Sequence, residues 1–175
     1  MSPNRNGRRT SLALAALVAI VVACQGSPSA PAALTPAHRA ALEDTLRTFV
    51  STLLAAENAL NAERASDLSD DQEPALTVLG HDEITMTRDS LRRILTGAYA
   101  AVDSNVQAFD GVRARVLTAD VGTIVAHGRS RVRLKDGTVM RERSTGTFVV
   151  MRRPGGWKIV QSHITAEPDS AGPKK

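Results

Sequence analysis

The alternation of apolar and polar residues is clearest in the C-terminal part of the chain, where it predicts three long antiparallel strands. Two turn signals divide this part: Asp136-Gly137, and Pro154-Gly155-Gly156, through which no strand continues. The segments between them are rich in Val, Ile, Thr and Phe, which favour strands. They are residues 121–135, 138–153 and 157–165. Strands of this length twist and curl, so the pattern predicts a sheet with a hollow side.

The N-terminal half has helical periodicity instead. Thr35-Pro36 is a typical helix start, because Thr caps the first turn and Pro is tolerated in it. Apolar residues then recur every three or four positions, with acidic residues, Glu57 among them, on the opposite side. The apolar positions are Leu42, Leu46, Phe49, Val50, Leu53 and Leu60. Thr87 begins a second predicted helix. Its apolar stripe consists of Leu91, Ile94, Leu95, Ala98 and Val102.

The remaining segments connect these elements. An acidic stretch at 67–74 ends the first helix, residues 75–79 form a short strand, and 80–83 turn the chain. Residues 106–117 are predicted to form a further strand with a bulge at Asp110-Gly111. Two helices followed by an antiparallel sheet indicate an α+β fold.

The first residues have the pattern of a secretory signal. Three arginines precede an apolar run at residues 12–23, which is about half as long as a membrane-spanning helix, and Cys24, the only cysteine, follows directly. Val21-Val22-Ala23-Cys24 resembles the lipobox of bacterial lipoproteins. The resemblance implies cleavage before Cys24, a lipid on its sulfur and anchoring in the cell envelope. Gln25 favours the outer membrane, facing the periplasm. The alternative is a buried free cysteine or an uncleaved anchor.

This pattern divides the chain into four parts. Residues 1–23 are the predicted signal peptide, 24–34 a flexible tether, 35–167 one domain, and 168–175 a disordered tail. Without the three arginines of the signal, the formal net charge falls from +4 to about +1, so charge does not indicate a nucleic-acid partner. The four histidines lack the spacing of metal ligands, and no phosphate-binding or nucleophile motif is present, so no metal or cofactor is expected.

The last predicted strand carries a family resemblance. Gly-Trp-Lys-Ile-Val-Gln-Ser-His-Ile-Thr at 156–165, after Arg152-Arg153, resembles the ending of the NTF2-like superfamily, in particular SnoaL-like domains. The association domain of calcium/calmodulin-dependent protein kinase II has a similar ending. The resemblance implies a cone in which a long N-terminal helix and a shorter helix pack on a strongly curved antiparallel sheet. It also implies a homodimer and a pocket used for isomerisation, dehydration, cyclisation or plain binding.

Strand pairing predicts what faces that pocket. Two-residue turns would pair Arg131 with Glu142 and Phe148 with Gln161. One face then collects Val125, His127, Arg129, Arg131, Glu142, Phe148, Val150, Trp157, Ile159, Gln161 and His163. The other collects Ile124, Ala126, Ser130, Val132, Thr147, Val149, Val160 and Ile164. We assign the first face to the pocket and the second to the homodimer interface, although a shift of one residue would exchange them.

The pocket face supplies the candidate site residues. The predicted ligand-binding residues are Arg129, Arg131, Phe148, Trp157, Gln161 and His163. Arginines with a histidine can bind an anion such as a carboxylate. The alternative interpretation is structural: Arg131 and Glu142 form a cross-strand ion pair, and His163 is a hydrogen-bonded core residue. The candidates for acid–base chemistry are His163, Glu142 and Tyr99.

Three functions are consistent with these residues. The leading hypothesis is a lipid-anchored envelope protein whose pocket binds a small anionic or amphiphilic molecule without catalysis. The second is an enzyme of the same fold that performs proton transfer or dehydration, with His163 as acid or base and Arg131 stabilising negative charge. The third is a dimeric assembly module whose cavity is filled by side chains.

Overall fold

The first helix begins where the sequence predicts. In the computed structural model, which describes residues 33–79 and 81–169, helix α1 spans Pro36–Asn58. The Thr35 hydroxyl caps it by accepting a hydrogen bond from the His38 amide at 3.2 Å. The helix ends before the acidic stretch, because Leu60 adopts a φ of 52°. Asn61 then caps the short helix α2, Ala62–Ser66.

The second predicted helix is α3, Arg88–Ala100, and Thr87 caps it by accepting a hydrogen bond from the Ser90 amide at 3.2 Å. The predicted short strand before it is β1, Ala75–Leu79. A strand that the sequence did not indicate, β2, spans Asp82–Met86 and pairs with β1. Asp82 and Glu83, which were predicted to lie in a turn, therefore belong to a strand.

Four long strands complete the sheet: β3 Val102–Val116, β4 Val121–Leu134, β5 Val139–Arg153 and β6 Gly156–Pro168. The strand order is β2-β1-β6-β5-β4-β3, and neighbouring strands are antiparallel except β1 and β6. The predicted bulge in β3 is confirmed by a register shift between Phe109 and Gly111. β6 includes Pro168, which the sequence had assigned to the tail.

The core lies between α1 and one face of the sheet, which we call the inner face; the opposite face is the outer face. The apolar stripe of α1 is buried as its spacing predicts from Leu42 to Leu53, whereas Leu60 lies beyond the end of the helix. It packs against Val116, Ile124, Ala126, Phe148, Val150, Trp157 and Ile159. This packing of a long helix on an antiparallel sheet confirms the α+β prediction.

The predicted signal peptide, Cys24 and the tether up to residue 32 lie outside the described residues, as do residues 170–175. Leu34 packs against the core as the domain begins. Among the helices described here, none is long and apolar enough to cross a membrane.

Candidate functional site

A cavity of about 250 Å³ lies between the helices and the inner face of the sheet. Leu53 and Glu57 of α1 form one side of it, and the apolar stripe of α3 forms another. β1, β2, β5 and β6 contribute mainly apolar side chains. These include Met86, Phe148, Ile159 and Ile164. None of the described lining residues is Lys, Arg or His, so the cavity offers an apolar ligand a favourable surface and an anion no cationic partner.

Glu57 is the one ionisable residue among the described lining residues. Within the described part of the chain its carboxyl group forms neither a hydrogen bond nor an ion pair. Burial among apolar side chains raises the pKa of Glu57 from its ordinary value of 4.5 to about 7. At neutral pH the carboxyl group is therefore divided between its two protonation states and can accept or donate a proton.

Tyr99 is close enough to Glu57 for the charge of the carboxylate to affect the pKa of its phenol group. Burial, and secondarily the negative charge of Glu57, raise the pKa of the Tyr99 phenol to about 12. The phenol therefore keeps its proton over the physiological range. The sequence predicted Tyr99 as a proton donor from the second helix, and the structure places it near the acid, although outside the lining of the cavity.

Three hydroxyl groups add polar atoms to the wall of the cavity. Ser69 precedes β1, Thr77 lies in β1 and Ser162 lies in the neighbouring strand β6. The Ser162 hydroxyl donates to the Thr77 hydroxyl at 3.1 Å. Together with Glu57, these groups can orient the polar end of a mainly apolar ligand.

The predicted ligand-binding residues do not share one wall. Phe148 lines the cavity, and Trp157 is buried in the core beside it. The polar members of the set are exposed on the outer face: Arg129, Arg131, Gln161 and His163. The prediction of a single binding wall is therefore wrong, for two separate reasons in two hairpins.

The first reason is the length of the loop between β4 and β5. The sequence predicted a two-residue turn at Asp136-Gly137, but the loop has three residues, closed by a hydrogen bond from the Leu134 amide to the Thr138 carbonyl at 2.9 Å. Gly137, at φ 89°, takes the left-handed conformation that this loop type requires. The extra loop residue shifts the register of the hairpin by one.

The shift exchanges the faces of β4. Arg131 lies opposite Arg141, and Glu142 lies opposite Ser130, so the predicted Arg131–Glu142 ion pair is wrong. Glu142 is half-buried and does not line the cavity. Because side chains alternate along a strand, a register shift of one residue turns every predicted pocket residue of β4 outward.

The second reason is a bulge in β6. The turn at Pro154-Gly155 forms as predicted, and Ile159 faces inward. Val160 is then left without a cross-strand partner, and the alternation reverses after it. Gln161 and His163 consequently point to the outer face, where His163 is exposed.

Residues that the sequence assigned to the homodimer interface also lie on the other face of the sheet. Ile124 and Ala126, expected in that interface, are 0% and 1% exposed in the core, and Ile164 lines the cavity. A homodimer that uses the outer face would therefore place arginines and His127 in its interface. Dimerisation through this face stays a prediction.

The outer face has arginines directly opposite one another: Arg129 with Arg143, and Arg131 with Arg141. Arg129 has an ionic partner in Asp110 at 3.2 Å. Within the described residues, neither Arg131 nor Arg141 forms an ion pair. Like charges opposite each other destabilise a sheet, so Arg131 and Arg141 repel each other. Arg141 also lies beside Asp169, whose amide donates to the Arg141 carbonyl at 2.8 Å, whereas Arg131 lies between Arg141 and Val106.

Arg131→Glu should therefore stabilise the fold by about 0.5–1 kcal/mol, because it replaces repulsion from Arg141 with attraction. Urea denaturation at low salt should show the gain, and high salt should reduce it. Arg113→Glu makes the same change in net charge opposite Val125 and should give no comparable gain. Equal effects of the two substitutions would contradict the pairwise explanation.

Sequence reasoning places Glu57 on the polar side of the first helix and so misses its position in the cavity. Glu57 follows Leu53 by four positions and Val50 by seven, which puts it on the same helical face as both. The spacing therefore contained the signal. Among the described residues, no group of three His, Cys, Asp or Glu is arranged to hold a metal ion.

No protein-family model and no curated protein sequence matches the chain. Solved structures do. A protein from Novosphingobium aromaticivorans, provisionally assigned as an aromatic ring hydroxylase, matches with a TM-score of 0.66 and 14% identity over 77% of this chain and 96% of its own. A provisionally assigned dehydratase of the NTF2-like family from Streptomyces avermitilis matches with a TM-score of 0.62 and 17% identity, over 73% and 96% of the two chains. The chain has an NTF2-like fold.

A ketosteroid isomerase-like protein from Erwinia carotovora atroseptica has the same NTF2-like architecture, with a TM-score of 0.58 and 13% identity over 71% of this chain and 95% of its own. The names of these three structural neighbours refer to different reactions: ring hydroxylation, dehydration and ketosteroid isomerisation. At these identities the likeness establishes the fold and leaves the function to the residues of this chain.

Proposed function

We propose that this protein binds a small, predominantly apolar and uncharged molecule in the cavity between α1, α3 and the sheet. The observation that supports the proposal is the lining: apolar side chains, three hydroxyl groups and one carboxyl group, without a cationic residue among the described positions. The ligand is amphiphilic, as the sequence analysis expected, but neutral. An anionic ligand loses support because Arg129 and Arg131 lie on the outer face.

The open cavity also argues against the third hypothesis, an assembly module whose interior is filled by side chains. The proposed location in the cell envelope rests on the sequence alone. The lipobox-like motif at Cys24 implies a lipid anchor, and Cys24 lies outside the described part of the chain.

A matched pair of compounds tests the binding proposal. Cyclohexanol should raise the melting temperature of the protein, whereas cyclohexanecarboxylate at about pH 8 should not, because its charge would be buried beside Glu57 without a cation. Leu95→Trp, which fills the cavity from α3, should abolish the stabilisation. Val106→Trp places the same side chain on an exposed position of β3 outside the cavity and should preserve it. Equal stabilisation by both compounds, or unchanged binding in Leu95→Trp, would contradict the proposal.

A second function is supported by the position of Glu57 in the lining of the apolar cavity, where burial raises the pKa of its carboxyl group to about 7. A carboxylate in an apolar cavity can remove a proton from the carbon next to a ketone and return it to the same or another carbon, which leaves the composition of the ligand unchanged. Exchange of such protons with D₂O, followed by NMR, should proceed with the native chain and stop in Glu57→Gln. Exchange at the same rate in the variant would exclude Glu57 as the base.

A further inference from the structure

Helix α3 is amphipathic, but none of its residues is buried. Its apolar stripe, which includes Leu91, Ile94 and Leu95, lines the cavity. The helix is attached on its polar side, where Arg92 pairs with Glu63 of α2 at 3.2 Å. An apolar stripe on a helix normally packs against other side chains. Here the stripe lies along a cavity and remains partly uncovered.

Exposed apolar side chains continue from this stripe onto the β1–β2 hairpin. Ile94 is 54% exposed, Leu79 of β1 is 44% exposed and Ile84 of β2 is 40% exposed. All three also line the cavity. They come from three different elements, so they mark one apolar rim where the cavity opens between α3 and the hairpin.

The polar atoms of the cavity belong to other positions. Glu57 lies on α1, and Ser162 and Thr77 bond to each other between β6 and β1. Thr77 lies opposite Ile84 in the pairing of β1 with β2, so the hydroxyl pair adjoins the rim, whereas Glu57 lies on a different element. A ligand that contacts both Glu57 and the rim has its polar end at Glu57 and its apolar end at the rim. The cavity volume of about 250 Å³ is below the roughly 300–1,000 Å³ typical of ligand pockets. A larger ligand must therefore extend past the rim.

We propose that the ligand is a linear aliphatic amphiphile with a neutral polar end, such as a long-chain alcohol, whose chain leaves the cavity across Leu79, Ile84 and Ile94. This inference rests on the proposed binding function and specifies its ligand class. The chain covers the apolar rim that the protein itself leaves exposed. The polar end is held by Glu57.

A series of primary alcohols from hexanol to tetradecanol tests the inference by calorimetric titration of the purified protein. Affinity should rise about twofold to fourfold per added methylene, and the rise should continue after the cavity is filled, because each further methylene covers part of the rim. Ile94→Ser should weaken the long alcohols by a larger factor than the short ones, because Ile94 contributes to the cavity as well as to the rim, and so flatten the rise with chain length. Val106→Ser, at a more exposed position outside the cavity, should behave like the native chain.

A separate substitution tests the contact with the polar end of the ligand. Glu57→Gln should change the affinity of every alcohol by the same factor, because it alters the contact with the hydroxyl group and not with the chain. Circular dichroism of each variant checks that it is folded, which is expected of a serine at the exposed position of Ile94.

Several outcomes would overturn the inference. If cyclohexanol binds but affinity stops rising with chain length, the cavity has a ligand and the rim does not contact it. If Ile94→Ser weakens all alcohols equally, the rim has no separate role. If Ile94→Ser instead abolishes a concentration-dependent dimer, a second copy of the chain covers the rim. Absence of binding by cyclohexanol and all linear alcohols would reject the proposed function itself.

Discussion

Replacing Arg153 with methionine should destabilise the fold by about 3–5 kcal/mol, because it leaves a buried carboxylate without its cation. Asp70 is 1% exposed. The Arg153 Nε donates to both carboxylate oxygens of Asp70, at 3.3 and 3.1 Å, and Nη2 donates to Oδ2 as well. Methionine retains much of the aliphatic stem of Arg153, so the expected loss reflects the charge and the hydrogen bonds more than packing.

Asp70 also fixes the segment that enters the sheet. Its carboxylate accepts a hydrogen bond from the Gln72 amide at 3.1 Å, and its own amide donates to the Ile159 carbonyl at 2.9 Å. Ser69, immediately before it, lines the cavity. Loss of Arg153 should therefore loosen the cavity wall in addition to lowering global stability.

Urea denaturation of the native chain and the variant measures this loss. Burial raises the pKa of Asp70. The hydrogen bond from Arg153 and its positive charge lower the pKa by more than burial raises it, so the net shift is downward. The contribution of the pair is thus present above about pH 4 and is lost as the pH falls through the lowered pKa. The difference between native chain and variant should narrow in acid.

Two further variants separate the explanations. Asp70→Leu combined with Arg153→Met removes both charges and should recover much of the stability that the single substitution loses. Arg152→Met removes the exposed neighbouring arginine and should have little effect. A cost below about 1 kcal/mol for Arg153→Met would show that water solvates Asp70 when its partner is removed.

The elements of this fold were predictable wherever local chemistry determines them. Thr35 and Thr87 cap their helices with the hydrogen bonds that their side chains can make, and Asp110-Gly111 marks the bulge in β3. The turns between β4, β5 and β6 follow from residues that no strand accommodates. The start of β3 was predicted less well, because Val102, expected in the stripe of the second helix, is the first residue of this strand. Strand β2 was missed because its exposed, mixed residues lack alternation and it exists through pairing with β1.

The site was not predictable to the same degree, because it depends on register. One additional loop residue before Thr138 and one unpaired residue, Val160, move four predicted binding residues to the other face of the sheet. The loop residue leaves the composition and the periodicity of the strands unaltered, whereas the bulge reverses the alternation of β6 after Val160. The bulge occurs where β6 changes neighbours, from Ser69 at Ile159 to β1 further along. Such a tertiary arrangement has no local signal in the sequence.

Glu57→Gln should stabilise the protein by up to roughly 3 kcal/mol at about pH 8 and by little at about pH 4. Burial raises the pKa of Glu57 from 4.5 to about 7, so folding favours the protonated carboxyl group. The resulting stabilisation is fully present below about pH 4.5 and is lost as the pH rises through 7. Glutamine has nearly the shape of the protonated acid and keeps its neutrality at every pH.

Urea denaturation at the two pH values, for the native chain and the variant, gives the comparison directly. Glu83→Gln serves as the control, because it removes an exposed carboxyl group from β2 without changing the cavity lining. It should not reproduce the pH-dependent gain. An equal gain for both variants would assign the effect to net charge.

The same substitution links stability to function. An unpaired glutamate in an apolar cavity weakens the fold at neutral pH, and residues with such a cost are common at binding and catalytic sites. Glu57→Gln should therefore gain stability while its affinity for alcohols changes and its proton exchange stops. A variant that gains no stability at about pH 8 would mean that water solvates the carboxyl group. The cavity would then lack the buried acid on which the proton-transfer function depends.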